Sequence, residues 1–272
     1  MRLVCAPRPW EAISAGRSES LRASAVSSAF GHPPDGSHSI RSRQPGTLLL
    51  PQSPAPIPGL RVAWSSDLGS IPVQKAVRAA CEGAVARFPS LGWTVEEEQP
   101  DITGITEFWN AVRAFLILPV YHRTVMEHRD VLSESLVWNV EHYAKLTALE
   151  VGLAEQARTR FYHHVREFLT RFDLLVTPAV SVEPWAAGVP FPTHVDGVPV
   201  ANYYDWAKLS WVVSVTGLPA LSVPCGRTAS GMPVNLQIVG PYRGERRVLA
   251  AAQALESELG LDLRPPPPYG SA

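Results

Sequence analysis

Two apolar stretches near the carboxyl end constrain the fold more than any other feature of the sequence. They are residues 214–226, SVTGLPALSVPCG, and residues 231–241, GMPVNLQIVGP. Apolar runs of this length, separated by a short turn that contains glycine, are typical of two strands that follow each other in a sheet. The sequence therefore predicts two consecutive buried strands in this part of the chain.

The stretch from Gly59 onward predicts a strand, a helix and a second strand. Residues 60–64 and 93–96 have the composition of strands, and residues 73–88 have helical spacing. This order with short loops favours a βαβ unit, in which the two strands are parallel. Residues 105–170 are predicted to be mainly helical, because apolar residues recur three and four positions apart: Phe108, Val112, Phe115 and Leu116, then Leu149, Leu153, Ala157 and Phe161.

The remaining segments complete an α/β prediction. Residues 174–178 read as a short buried strand that ends at a proline, and residues 179–202 read as a loop rich in Pro and Gly. Residues 205–213 and 245–259 are predicted helices, the second with an apolar face. We expect an α/β fold with a mixed β-sheet flanked by helices.

The two ends of the chain differ in composition from its middle. Residues 1–58 are rich in Ser, Pro, Arg and Ala, contain no Lys, and show no long helical or strand periodicity. Such a segment buries too little apolar surface to offset its chain entropy, so we expect it to be disordered. We predict one folded domain over residues 59–262 and a Pro-rich tail over residues 263–272.

Composition excludes several classes of partner. Apolar residues make up 46% and charged residues 18% of the 272 positions, as in a globular protein with a sizeable core. The formal net charge of -1 gives no electrostatic reason to expect nucleic acid or an anionic membrane. No segment has the roughly 18–20 apolar residues of a membrane span, and we find no export signal. Cys5, Cys81 and Cys225 are too scattered for a disulfide framework, so we predict a cytoplasmic protein.

The usual catalytic, cofactor and metal motifs are not found in the sequence. His122 and His128 are six positions apart on a predicted helix, which places them on opposite sides and argues against a shared metal. Cys225 ends an apolar strand without a nearby histidine, so we interpret it as a small buried hydrophobic residue rather than a nucleophile. We predict no cofactor and no metal.

Aromatic residues are concentrated between positions 185 and 211. An aromatic-lined cleft for an apolar ligand is one interpretation, and core packing of a long loop is the other. The sequence leaves both open. The residues are Trp185, Phe191, Tyr203, Tyr204, Trp206 and Trp211.

The two stretches of the opening paragraph resemble the carboxyl-terminal core of the amidase signature family. The segments 57–64 (IPGLRVAW), 172–178 (FDLLVTP) and 245–252 (ERRVLAAA) are similar to strands and the closing helix of the same family. The resemblance covers residues 57–262 and implies an incomplete amidase-signature fold, corresponding to the carboxyl-terminal portion only.

The resemblance implies hydrolysis of a carboxamide to a carboxylic acid and ammonia or an amine. Members use a serine, a second serine that follows a cis peptide, and a lysine, because a hydroxyl nucleophile needs a base to take its proton. In the family these residues precede the part that resembles Gly59 onward. Here residues 1–58 occupy that place without a lysine or a Gly/Ser-rich turn, and Lys75, Lys145 and Lys208 do not match the catalytic positions. No catalytic residue is therefore assigned.

Two substrate-binding positions follow from the resemblance. The helix before the Gly217-Leu218-Pro219 step lines the acyl-binding side in relatives, and this corresponds to Ala207 and Trp211 here. For Trp211 a role as pocket wall and a role as plain core residue both remain open.

Three functional hypotheses follow. The first is a truncated amidase, a pseudoenzyme inactive by itself, with exposed apolar surfaces where the missing half would dock. The second is one half of a split amidase, whose partner is an amino-terminal amidase half or a further copy in a homo-oligomer. The third is a non-catalytic module that binds a small-molecule amide.

Overall fold

The computed structural model of the chain describes residues 57–262 and is built on a mixed five-stranded sheet. The predictions made for residues 1–56 and 263–272 lie outside the described residues. The sheet order is β2-β1-β3-β7-β6, and a two-stranded hairpin, β4-β5, stands apart. The strands are β1 (Arg61–Trp64), β2 (Thr94–Glu97), β3 (Leu174–Pro178), β4 (His194–Val195), β5 (Val198–Pro199), β6 (Ala220–Arg227) and β7 (Pro233–Val239).

The first part of the sheet is the predicted βαβ unit. β1 pairs in parallel with β2 and, on its other side, with β3. The connecting helix α1 (Lys75–Val85) is shorter than the predicted 73–88. A short 3-10 helix (Phe88–Leu91) follows it and is capped by Gly92, whose φ of 75° is in the left-handed region that glycine adopts without strain.

The second part of the sheet is antiparallel and contains the two predicted consecutive strands. β7 lies between β3 and β6, and Leu236 of β7 is completely buried. Cys81 on α1 and Cys225 on β6 are buried free thiols, with their Sγ atoms 3.9 Å apart. The interpretation of Cys225 as a small buried residue agrees with this position.

The helices pack on the sheet and on one another. After α1 they are α2 (Ile105–His128), α3 (Glu134–Tyr143), α4 (Ala148–Arg171), α5 (Lys208–Thr216) and α6 (Glu245–Leu259). In the part of the chain that the structure describes, no helix is long and apolar enough to cross a membrane.

The apolar stripes predicted for α2 and α4 are buried over only part of their length. Phe108 and Val112 belong to the main core, but Phe115 is 62% exposed three residues later. On α4, Phe161 is buried whereas Leu149 is 71% exposed. The periodicity identified the helices correctly but did not show how far each stripe is covered, because that depends on what packs above it.

Replacement of Thr147 by alanine is expected to destabilise the fold at the start of α4. The Thr147 hydroxyl accepts a hydrogen bond from the Glu150 amide at 3.2 Å, and the Glu150 carboxylate accepts one from the Thr147 amide at 2.7 Å. Loss of such a reciprocal cap costs about 0.5–2 kcal/mol. Urea unfolding of the full chain measures the change. Thr159→Ala on the same helix is the matched control, and equal losses for the two variants would contradict the capping role.

Candidate ligand-binding site

The long loop before α5 folds over the helical layer and contains a short hairpin. The structure corrects the prediction of a plain loop over 179–202, because β4 and β5 pair within it. Asp196 and Gly197 form the turn, with φ of 48° and 84°. An Asp-Gly pair between apolar residues is a strong hairpin signal, so the sequence contained the information that predicts this turn.

The predicted substrate-binding residues Ala207 and Trp211 lie on adjoining turns beside this loop. Trp211 is buried, stacks on Trp109 with ring centroids 4.6 Å apart, and donates from Nε1 to the Tyr204 carbonyl at 3.2 Å. Ala207 is half-buried and donates its amide to the same carbonyl at 3.1 Å. The structure thus brings the two residues together next to an aromatic cluster, and their contact with a substrate stays a prediction.

Two cavities adjoin this cluster, and Trp138 lines both. The first has a volume of about 480 Å³, and its lining includes Pro190, Phe191 and Tyr203. The second has a volume of about 430 Å³ and is lined by Asn110, Tyr204 and Lys208 among others. Neither Ala207 nor Trp211 is among the residues that line these two cavities. Of the two interpretations of the aromatic loop, cavity lining holds for Phe191 and Tyr203, and core packing holds for Trp211.

A polar network links the cluster to the first cavity. Arg113 on α2 donates from Nη2 to Asn139 Oδ1 at 3.0 Å and to the Tyr203 hydroxyl. The Tyr203 hydroxyl donates to the same Asn139 oxygen at 3.1 Å, and Asn139 Nδ2 donates to the Ser135 carbonyl at 2.6 Å. Sequence reasoning missed Arg113. The signal was a single cation between Val112 and Ala114 in an apolar helical stretch.

Two of the phenols around this network, those of Tyr143 and Tyr204, are neutral. Burial raises the pKa of Tyr143 and raises that of Tyr204 further still, so both hydroxyls keep their protons at neutral pH. Tyr204 donates its hydroxyl to Asn110 Oδ1 at 3.1 Å. The cluster can therefore offer neutral hydrogen bonds and apolar surface to a ligand.

The groups for serine-based hydrolysis are not assembled within residues 57–262. The three lysines of the sequence all lie in this range, and none is hydrogen-bonded to a serine hydroxyl there. Lys75 and Lys145 are exposed, and Lys208 lies with Nζ 5.8 Å from the ring centroid of Trp211. This part of the chain contains two cavities, but it does not place a lysine beside a serine hydroxyl.

Comparison with known proteins identifies the family. The family model described as Amidase matches residues 25–249. The chain belongs to the amidase signature family. This match confirms the resemblance that the sequence motifs indicate. The matched region begins within the segment 1–58. The predicted boundary of that segment and its predicted disorder stay predictions.

Two curated relatives of this chain are longer than it is. It is 28% identical to an acylamidase from Rhodococcus erythropolis over 227 residues, which cover 82% of this chain and 47% of that protein. It is 27% identical over 244 residues to one of the subunits of a glutamyl-tRNA(Gln) amidotransferase from Symbiobacterium thermophilum, again covering 47% of the relative and 79% of this chain. The chain spans about half the length of these curated relatives.

The solved structures agree on the fold. A bacterial aryl acylamidase of the amidase signature family superposes with a TM-score of 0.66 at 21% identity, over 74% of this chain and 44% of that one. The predicted α/β class, with a mixed sheet flanked by helices, is confirmed. The chain covers only part of the fold that the family's solved structures have.

Proposed function

We propose that this chain supplies the carboxyl-terminal, substrate-facing part of an amidase that hydrolyses a carboxamide to an acid and ammonia or an amine. Two facts together carry the proposal. The family model matches residues 25–249, and no lysine among the described residues is hydrogen-bonded to a serine hydroxyl. On this proposal the chain is inactive alone, since a hydroxyl nucleophile without a positioned base attacks an amide far too slowly.

The proposed substrate is a small amide with an aryl or otherwise apolar acyl group. The support is the aromatic lining by Trp138, Phe191 and Tyr203 beside the predicted positions Ala207 and Trp211. One of the relatives is named an acylamidase. We also propose a cytoplasmic location, since Cys81 and Cys225 are free although their Sγ atoms lie 3.9 Å apart.

We propose that the nucleophile segment comes from a partner chain. β6 has no paired strand on its outer side among residues 57–262, and an open edge of eight residues can accept another strand. Exposed apolar residues such as Phe115 and Leu149 provide further surface for a partner. The relative from Symbiobacterium thermophilum is, by its name, one component of a larger enzyme.

A second candidate function is that of a non-catalytic binding module. The observation that favours it is that both cavities are lined by residues of the range 57–262, in which no lysine is hydrogen-bonded to a serine hydroxyl. Such a module would bind an amide or its acid without turnover.

A serine-directed fluorophosphonate probe tests the proposal. The purified full chain should remain unlabelled and should not hydrolyse an acyl anilide, while an intact acylamidase under the same conditions serves as the positive control. Coexpression with an amino-terminal amidase half should produce labelling on that half and hydrolysis if the chain acts as a split enzyme. Specific labelling at Ser18, Ser27 or Ser28 of the isolated chain would overturn the proposal.

A further inference from the structure

The helical layer contains a cation without an anionic partner. Arg113 is half-buried on α2, and no Asp or Glu within residues 57–262 forms an ion pair with it. A guanidinium removed from water in this way is costly unless an anion compensates its charge. The position therefore calls for a negative group from outside the network.

Three buried polar atoms of this region have no hydrogen-bond partner: Arg113 Nε, Trp109 Nε1 and the Tyr143 hydroxyl, which can donate or accept. Arg113 Nη2 is satisfied by Asn139 and Tyr203, but Nε is buried without an acceptor. Nη1 forms no hydrogen bond with another described residue. Trp109 Nε1 is a further buried donor without a partner, and its ring centroid lies 5.9 Å from Arg113 Cζ. An incoming group that only accepts hydrogen bonds, such as a carboxylate, matches the two unpaired N–H donors.

The hydroxyls of Tyr143 and Tyr204 do not compensate the charge of Arg113. The pKa values of Tyr143 and Tyr204 are raised by burial, so both side chains remain neutral hydroxyls at neutral pH. Glu134 lies at the rim of the first cavity and is exposed, where water and salt screen its charge. The guanidinium is thus free to pair with a ligand.

The first cavity can accommodate the apolar part of such a ligand. Arg113 does not itself line the cavity, but Tyr203 does and is hydrogen-bonded to Arg113, so the guanidinium lies directly behind this part of the wall. Trp138, Pro190 and Phe191 form apolar walls around a volume of about 480 Å³, large enough for an aromatic ring.

We propose that this cavity binds an aromatic carboxylate, with its ring between Trp138 and Phe191 and its carboxylate accepting from Arg113. The inference rests on the proposed function only in one respect, namely that such an acid is what hydrolysis of an aryl amide releases. The binding itself requires no nucleophile and no partner chain.

Isothermal titration of the full chain with benzoate and with benzamide tests the proposal. The two probes share the ring and differ in charge, so benzoate should bind about tenfold more tightly, as expected for a charge-assisted contact. Arg113→Gln should abolish this difference, while Arg113→Lys should retain part of it. Arg123→Gln is the matched control on the same helix, since that exposed arginine pairs with Glu127 at 2.7 Å, and it should leave the difference intact.

Equal affinity of the wild-type chain for benzoate and benzamide would overturn the proposal. Acetate binding as tightly as benzoate would overturn the role of the aromatic walls. If Arg113→Gln does not fold, the affinities of the wild-type chain and of Arg113→Lys for benzoate and benzamide decide the question. An arginine with only a structural role would not make the chain distinguish the two probes. If benzoate binding is intact but coexpression with an amino-terminal amidase half gives no amide hydrolysis, this site stands and only the split-amidase proposal is rejected.

Discussion

Replacement of Phe88 by alanine is expected to lower the free energy of unfolding by about 3–5 kcal/mol, since a large buried ring leaves both lost transfer energy and a cavity. Phe88 is completely buried between α1 and β2, and its ring meets that of Trp93 edge-on with centroids 5.1 Å apart. Trp93 in turn donates from Nε1 to the Ile57 carbonyl at 2.8 Å, so the cavity would open beside the beginning of the described chain. Urea unfolding followed by tryptophan fluorescence measures the loss.

Phe115→Ala is the matched control for this measurement. The same side chain is removed, but Phe115 is 62% exposed on α2. Substitutions at exposed positions usually change stability by less than about 0.5 kcal/mol. Comparable losses for the two variants would mean that Phe115 is covered in solution, as it would be if a partner chain or a further copy packed on this face.

These two phenylalanines also show what the sequence could and could not predict. Short-range signals predicted the βαβ unit, the two consecutive strands and the last helix, because periodicity and turn residues are local properties. The burial of Phe115 is not local. Its spacing from Phe108 and Val112 fits one helical face, yet the core ends before it.

In the candidate site, too, local sequence signals were predictive and long-range contacts were not. Family motifs predicted Ala207 and Trp211 as substrate-binding residues; the two lie close together in the structure, and their role stays a prediction. Arg113 could not be assigned from the sequence, since its partners Asn139 and Tyr203 are 26 and 90 positions away. Only the packing of α2, α3 and the loop before α5 shows that its charge is uncompensated.

Replacement of Gly240 by alanine is expected to destabilise the fold by about 1–3 kcal/mol, the usual cost of overpacking a core. A Cβ atom at this position would lie 2.5 Å from Val248 Cγ2, well inside the contact distance. Val248 is buried on α6, and a valine in a helix has essentially one rotamer, so it cannot turn away. Gly240 is fixed from the other side, because its amide donates to the Pro219 carbonyl at 2.9 Å. The clash can be relieved only by moving α6 away from the hairpin of β6 and β7.

The same substitution at Gly83 is expected to have the opposite effect and to stabilise the fold. Gly83 is exposed within α1, and a Cβ there would meet nothing within 4 Å. Alanine is the better helix former, so this variant should gain about 0.5–1 kcal/mol. Unfolding curves of the two variants should therefore shift in opposite directions from that of the wild type. A loss at both positions would contradict the contact with Val248, because a general intolerance of alanine would then explain the effect at Gly240.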